Sequence, residues 1–299
     1  MSHSHTHSKT GLRLFITIII NVFITVAQII GGLFANSLSL LSDALHNFSD
    51  VVALALSWGA NVLARKKPDE EKTFGYKRAE ILAAFFNSAA LTGIAGLLIY
   101  HAILKLFNPE EIKSLTVVYL ALLSIVLNAL SVFIIKEDAS HSMNIKSAYL
   151  HLLTDVMTSV AVFVGGVLMY KWKIFWVDPV ISVIIAVFLV KQSFSLLRES
   201  LEVLMQFAPN FIDLNDIKTE LEQFDFVDNV HHIHLWRLND DEVFLEAHVD
   251  FKENLTLEKA TKKIEKLEKF LKKNFGITHV TFQSEYNRKD DKSPVKNQD

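Results

Sequence analysis

The sequence of 299 residues contains no cysteine. This absence excludes structural disulfides and thiolate metal ligands, so any bound metal must be held by imidazole and carboxylate groups. The N-terminus also lacks the layout of a cleaved signal peptide, in which a basic stretch precedes an apolar one. The net charge of −3 at pH 7 is small and does not indicate a nucleic-acid partner.

Hydrophobic residues make up 51% of the chain, and the mean hydropathy is +0.28. These values are too apolar for an ordinary soluble enzyme and too polar for a bare membrane bundle. Because the apolar residues concentrate before Arg198, we expect a membrane domain over 12–208 and a soluble domain over 209–287. Polar tails without regular structure are expected over 1–11 and 288–299. The first tail contains His3, His5 and His7, which could gather metal weakly or could simply be solvated.

Six apolar segments are each long enough to cross about 30 Å of hydrocarbon. They run over 12–34, 38–63, 79–106, 115–135, 147–170 and 175–197. Basic residues concentrate at the N-terminus and in the loops after the second and fourth segments, and the other loops carry fewer. The positive-inside rule therefore predicts a multi-pass protein of the cytoplasmic membrane, in contact with the lipid bilayer, with both termini in the cytoplasm.

Ionisable residues interrupt two of these segments. In SLSLLSDALHNFSD, Asp43, His46 and Asp50 fall at i, i+3 and i+7, which is one stripe of a helix. His151 and Asp155 in the fifth segment repeat the spacing of His46 and Asp50. Hydrogen bonding between helices would explain either pair alone. Two matching pairs predict a shared metal site of two imidazoles and two carboxylates, which suits tetrahedral Zn²⁺.

The soluble domain contains short amphipathic segments in the order helix, strand, strand, helix, strand. They run over 213–224, 229–238, 242–251, 257–275 and 279–286. This αββαβ order predicts a small α+β domain with helices on one face of a sheet and the other face free for a partner. His231, His234, His248 and Glu285 lie on the strands, where they could bind a metal or remain solvated. The predicted fold is a bundle of six transmembrane helices with this domain at its C-terminus.

The motifs SLSLLSDALHNFSD, TFGYKRAEILAAFFN, HLLTDV, VHHIHLW, EAHVDF and THVTFQSE, in this order, resemble the cation diffusion facilitator family of zinc transporters. The resemblance covers the six helices and the cytoplasmic domain. It implies a homodimer in which each protomer exports a divalent metal against entering protons. It implies a tetrahedral transport site at His46, Asp50, His151 and Asp155, where histidine at the first position is typical of zinc-preferring members. It also implies a second zinc, structural or regulatory, at His231, His248 and Glu285, with His234 as an addition.

Two features depart from the pattern of that family. Asp69, Lys72 and Tyr76 stand where some bacterial members bind zinc through an aspartate and two histidines, so no metal is expected in that loop. Gln283 stands where some members have histidine, which favours one metal over a two-metal cluster in the cytoplasmic domain. Asp178, before Pro179 at the start of the sixth segment, is interpreted as a helix cap or an interface residue.

The leading prediction is a proton-coupled zinc exporter, which is a secondary transporter and not an enzyme. An exporter of cadmium, cobalt or iron in the same family is an alternative. An intramembrane zinc enzyme would keep an open position for water and would need a general base beside the ligands, as in His-Glu-x-x-His. A metal sensor would bind zinc in the soluble domain but would not account for the two pairs in the apolar segments.

Overall fold

The computed structural model describes residues 4–136 and 143–295. In this part of the chain, six long helices match the six predicted segments. They are α1 (Ser4–Ala35), α2 (Leu38–Ala64), α3 (Ala79–Phe107), α4 (Ser114–Ile135), α5 (Met143–Trp172) and α6 (Val177–Leu204). Five of them are long and apolar enough to cross a membrane, and α2 is not among these five. Asp43, His46, Asn47 and Asp50 all lie on α2, and they reduce its apolar character.

The N-terminal tail is shorter than the sequence predicts. Helix α1 already begins at Ser4, so residues 4–11 are helical, whereas a tail without regular structure was expected over 1–11. Residues 4–35 contain no proline, so nothing in this stretch removes a backbone donor or blocks the helical path. His3 lies outside the described residues.

The chain divides into two compact units, each with its own core. The helical unit comprises Met1–Gly59 and Ala83–Leu197, and the sheet unit comprises Ala60–Leu82 and Arg198–Asp299. Small residues let α4 and α5 approach closely in the helical unit: a Cβ atom on Gly166 would lie 3.3 Å from the backbone nitrogen of Val118. Large apolar side chains such as Phe34, Phe86 and Phe133 are exposed on the outside of the helices, as expected for surfaces that face lipid.

The turn between α1 and α2 explains where α2 begins. Asn36 has a left-handed backbone with φ of 56°, a conformation that asparagine tolerates better than most residues. The backbone N–H of Ser37 then donates to the carbonyl of Gly32 at 3.0 Å, which satisfies an open carbonyl at the end of α1. The chain reverses within two residues, and α2 starts at Leu38.

The sheet unit confirms the predicted αββαβ order. Its elements are α7 (Leu214–Glu222), β1 (Val227–Arg237), β2 (Val243–Phe251), α8 (Leu257–Phe275) and β3 (His279–Glu285). Strand β2 lies in the centre, antiparallel to β1 and parallel to β3. Apolar residues of the two helices, among them Ile217, Leu267 and Leu271, pack with apolar residues of the strands into one buried core.

The strand register brings the predicted ligand residues side by side. His231 on β1 pairs with His248 on β2, His248 pairs with Gln283 on β3, and Asp250 pairs with Glu285. A bulge follows His231, because His232 has a positive φ of 50° and the pairing resumes only at His234. The segment after β3 folds back to this bulge.

Candidate metal centres

The α2–α5 cluster consists of His46, Asp50, His151 and Asp155. Its four ligand atoms all lie within 4.8 Å of one another. Each histidine faces a carboxylate of the other helix: His46 Nε2 is 3.1 Å from Asp155 Oδ1, and His151 Nε2 is 2.9 Å from Asp50 Oδ2. The i, i+4 spacing therefore places each pair on one face, and the packing of α2 against α5 combines the two pairs.

The deep side of the α2–α5 cluster has polar atoms without hydrogen-bond partners. His46 Nε2 and both carboxylate oxygens of Asp155 are buried and form no hydrogen bond within the described chain, although His46 and Asp155 are close. Asp155 is completely buried, whereas His151 and Asp50 are partly exposed and hydrogen-bonded. Unpartnered nitrogen and oxygen atoms that converge on one point are the arrangement expected of metal ligands.

Asp178 holds the first turn of α2 from a neighbouring helix. Its carboxylate accepts hydrogen bonds from the hydroxyls of Ser37 and Ser39, both at 2.5 Å, and from the backbone N–H of Leu38 at 2.8 Å. Asp178 lies in the first turn of α6, so it caps α2 and not its own helix. A carboxylate at this position also suits the positive end of the helix dipole. The cap lies two turns before His46 on the same helix.

The sheet cluster consists of His231, His248, Glu285 and Asp290, whose ligand atoms also lie within 4.8 Å of one another. His248 Nδ1 is 3.0 Å from Glu285 Oε1, and His231 Nε2 is 3.3 Å from Asp290 Oδ2. His231 Nδ1, His248 Nδ1 and Glu285 Oε2 are buried and lack hydrogen-bond partners among the described residues. This set of two imidazoles and two carboxylates fits a zinc ion, which these four residues would hold.

The sheet cluster differs from the predicted set in two residues. The structure does not bring His234 into the cluster: the bulge at His232 separates it from His231, and it pairs with Glu246 on β2. Asp290 belongs to the cluster, although the sequence indicated only a polar tail at 288–299. No periodicity marks Asp290. It joins the cluster because the backbone of Ser293 and Pro294 accepts hydrogen bonds from His232 and Ile233, which fastens the segment to β1.

Two cations accompany the carboxylates of the sheet cluster. The Lys292 ammonium is 2.5 Å from Asp290 and also contacts Asp250, while Arg288 Nη1 is 2.5 Å from Glu285. The hydrogen bond from Lys292 lowers the pKa of Asp290 to about 2. Burial alone would lower the pKa of Lys292, but its hydrogen bonds to Asp250 and Asp290 outweigh this effect, and its pKa is raised. Both side chains therefore carry charge at physiological pH.

In the loop before α3, the polar groups of Asp69 and Lys72 contact other residues of the same loop. Asp69 Oδ1 accepts hydrogen bonds from the backbone N–H groups of Glu71 and Lys72, at 3.0 and 2.8 Å, and so forms a turn. The Lys72 ammonium lies 3.4 Å from the second oxygen of Asp69 and 5.8 Å from the ring centre of Tyr76. These are the three residues at which the sequence indicated no metal.

Two family models match the chain. The model described as cation efflux transmembrane domain matches residues 14–205, and the model described as cation efflux protein, cytoplasmic domain, matches residues 209–286. The first match contains the α2–α5 cluster, and the second contains three of the four residues of the sheet cluster.

Characterised bacterial proteins are similar to the chain over nearly its whole length. The cadmium, cobalt and zinc/H(+)-K(+) antiporter of Bacillus subtilis is 34% identical over 287 residues, which cover 95% of this chain and 92% of the relative. The metal cation efflux system protein CzcD of Cupriavidus metallidurans is 35% identical over 286 residues, or 95% and 89% of the two chains. Zinc transporter ZitB of Yersinia pestis is 31% identical over 283 residues, or 94% and 89%.

Proposed function

The chain belongs to the cation efflux family, and on that premise we propose that it is a proton-coupled exporter of zinc and related divalent cations. The α2–α5 cluster carries this proposal. It offers two imidazoles and two carboxylates within 4.8 Å, which is a complete donor set for tetrahedral Zn²⁺ without a thiolate. A catalytic zinc site would keep one position open for water, whereas here four protein ligands converge.

Exchange of zinc for protons follows from the chemistry of these ligands. Imidazole binds a metal only in its neutral form, so a proton on His46 or His151 competes directly with zinc. In the α2–α5 cluster each imidazole faces a carboxylate of the opposite helix, at 3.1 and 2.9 Å, where an imidazolium would be stabilised when no zinc is bound. Up to one proton per histidine would therefore leave when zinc binds and return when zinc is released.

The remaining parts of the proposal concern placement and assembly. The basic loops support a cytoplasmic-membrane protein with both termini in the cytoplasm. The match to a cytoplasmic-domain model supports a cytoplasmic location for the sheet unit. There, zinc bound by His231, His248, Glu285 and Asp290 would act as a structural or regulatory ion and would favour a homodimer. The name of the Bacillus subtilis relative includes cadmium and cobalt as well as zinc, so these ions are further candidate substrates.

Zinc flux into proteoliposomes with an imposed pH gradient tests the transport proposal. We expect zinc to move toward the acidic side, and we expect Asp155→Ala to abolish this flux, because Asp155 is the completely buried ligand. Asp69→Asn, in the loop outside both clusters, is the control and should transport at the wild-type rate. Wild-type flux in a folded Asp155→Ala variant, or flux indifferent to the pH gradient, would overturn the proposal.

A further inference from the structure

A second buried polar group lies beside the α2–α5 cluster and is separate from it. We call it the Asp43 network: Asp43 and Asn47 on α2, Gln28 on α1, Ser124 and Asn128 on α4, and Ser159 on α5. Asp43 is completely buried, and none of the other five side chains is more than 1% exposed. A carboxylate so placed in a membrane helix is expected to face a partner or an ion.

All hydrogen bonds of the network run toward one oxygen of Asp43. Gln28 Nε2 donates to Asp43 Oδ2 at 2.5 Å, and Ser159 Oγ donates to the same oxygen at 2.8 Å. Asn47 Nδ2 donates to Gln28 Oε1 at 3.0 Å. Because the only hydroxyl proton of Ser159 is directed to Asp43, the 2.8 Å contact between Ser124 and Ser159 must be donated by Ser124.

The series of hydrogen bonds through Ser159 and Ser124 continues to Asn128 with the same donor direction. Asn128 Nδ2 donates to Ser124 Oγ at 3.3 Å, so the amide of Asn128 is oriented by Ser124 as that of Asn47 is by Gln28. Two series of donors therefore converge on Oδ2 of Asp43. The amide orientations follow from this oxygen, which accepts hydrogen bonds whether or not Oδ1 carries a proton.

The network has more acceptors than donors. Asp43 Oδ1, Asn47 Oδ1 and Asn128 Oδ1 are buried without a hydrogen-bond donor among the described residues. The hydroxyl of Thr158 lies within hydrogen-bonding reach of Asp43 and 2.9 Å from the backbone carbonyl of Asp155, and its single proton can serve only one of the two. A buried carboxylate oxygen without a donor or a counter-charge is strongly unfavourable. A positive charge beside Asp43 would compensate both the open oxygen and the charge of the carboxylate.

We propose that the Asp43 network is a binding site for one monovalent cation, either a proton on the Asp43 carboxylate or an alkali-metal ion held by oxygen atoms. Its hydrogen-bonded groups contain a single ionisable side chain, so one positive charge makes the site neutral. Its free atoms are all oxygens, which suit hard cations. A hard divalent ion such as Ca²⁺ or Mg²⁺ is normally held with more than one carboxylate or with several waters, and here it would leave a net charge in a buried site.

The site shares its helices with the α2–α5 cluster. The nearest ionisable groups on these helices are His46, one turn after Asp43 on α2, and Asp155, one turn before Ser159 on α5. The partners of the network on α1 and α4, Gln28, Ser124 and Asn128, are uncharged. Cation binding at Asp43 therefore does not require zinc in the neighbouring cluster, and the site can be tested without measuring transport.

Infrared spectroscopy and thermal unfolding of the purified full-length protein test the proposal in the absence of zinc. Wild type, Asp43→Asn and Asp178→Asn would be compared at mildly alkaline pH in choline chloride, sodium chloride and potassium chloride. Asp178→Asn is the matched control, because Asp178 is also a completely buried carboxylate of the helical unit but has donors on both oxygens. Its behaviour toward salts should equal that of wild type.

The two sources of the charge give different results. A carboxylic-acid C=O band that is present in wild type in choline chloride and absent from Asp43→Asn identifies a proton. A Tm that rises in sodium or potassium chloride relative to choline chloride, in wild type and not in Asp43→Asn, identifies an alkali ion. Either result supports the site.

The proposal is overturned if wild type and Asp43→Asn share the same carboxylic-acid bands and the same dependence of Tm on salt. If Asp43→Asn does not fold, Ser159→Ala replaces it, because this change keeps the carboxylate and removes one donor to Oδ2. It should then shift the frequency of the C=O band or reduce the effect of the alkali ion, and a variant identical to wild type in both would overturn the proposal.

Discussion

At the scale of single residues, the type of ligand atom decides which ions the clusters can hold. His46 supplies a borderline imidazole nitrogen to the α2–α5 cluster, where its Nε2 atom is buried and has no hydrogen-bond partner among the described residues. A carboxylate in its place would add a negative charge and change the ions that the site tolerates. The neighbouring carboxylates Asp50 and Asp155 would remain as before.

We therefore expect His46→Asp to lower the preference of the transporter for zinc over cadmium. The measurement is the ratio of zinc to cadmium flux in proteoliposomes, in parallel with the control Asp69→Asn. A ratio in His46→Asp equal to that of wild type would show that His46 does not determine selectivity.

Lys292 is the second residue with a specific expected effect. Its ammonium contacts Asp250 and Asp290, and the pKa of Asp290 is about 2, so the ion pair is present at any physiological pH. Zinc bound by the sheet cluster would have to share the carboxylate of Asp290 with this ammonium. Lys292→Met keeps most of the apolar stem and removes the charge, and we expect it to raise zinc affinity several-fold.

Calorimetric zinc titration of the full-length protein measures this effect, in a background of Asp155→Ala that weakens the α2–α5 cluster. Lys289→Met is a suitable control, because it removes a nearby charge of the same segment. Unchanged or weaker zinc binding in Lys292→Met would show that its ammonium does not compete with the metal.

At the scale of elements, the position of α2 depends on Asp178 of α6. Four donors at the start of α2 converge on this carboxylate: the hydroxyls of Ser37 and Ser39 and the backbone N–H groups of Leu38 and Ser39. Removal of the carboxylate would leave them buried without an acceptor, at a cost of about 1–3 kcal/mol for each group that finds no replacement. The start of α2 would be the part of the helix most affected.

We expect Asp178→Ala to lower the Tm and to speed amide hydrogen exchange in the first turns of α2, with a smaller loss of zinc flux than in Asp155→Ala. Asp178→Asn keeps one acceptor oxygen and should lie between wild type and Asp178→Ala. Exchange at α2 that matches wild type in a folded Asp178→Ala variant would contradict the role of this cap.

At the scale of the whole molecule, the two clusters have different expected functions. The proposed cytoplasmic zinc would favour whichever dimer arrangement binds it better, so its influence on transport is limited by that difference in affinity. Loss of this site should therefore weaken transport without abolishing it. Loss of the α2–α5 cluster should abolish transport, because we propose that the transported ion itself binds there.

Accordingly, we expect the double variant His231→Ala, His248→Ala to dimerise less tightly than wild type in zinc and equally in a chelator, and to retain part of its zinc flux. Analytical ultracentrifugation in detergent with zinc or with chelator measures the first effect, and proteoliposome flux measures the second. A double variant that dimerises in zinc as tightly as wild type would refute a zinc-dependent dimer contact through these residues.

The sequence alone determined the six apolar helices, the αββαβ order and the four residues of the α2–α5 cluster. Periodicity explains this success, because i, i+4 spacing places His46 with Asp50 and His151 with Asp155 on single faces whatever the surroundings. Strand alternation likewise placed His231, His248 and Glu285 on one sheet.

The tertiary structure decided the contacts that depend on separate parts of the chain. Asp290 and Lys292 reach the sheet cluster only because the backbone after β3 forms hydrogen bonds with the bulge at His232. No local sequence pattern predicts that this segment folds back onto β1. Asp178 on α6 caps α2 through Ser37, which is 141 positions away in the sequence. Asp43 accepts hydrogen bonds from Gln28 on α1, 15 positions away, and from Ser159 on α5, 116 positions away. Local periodicity indicates which face of an element is polar. Only the packing of the elements determines which polar groups contact each other and which atoms remain without a hydrogen-bond partner.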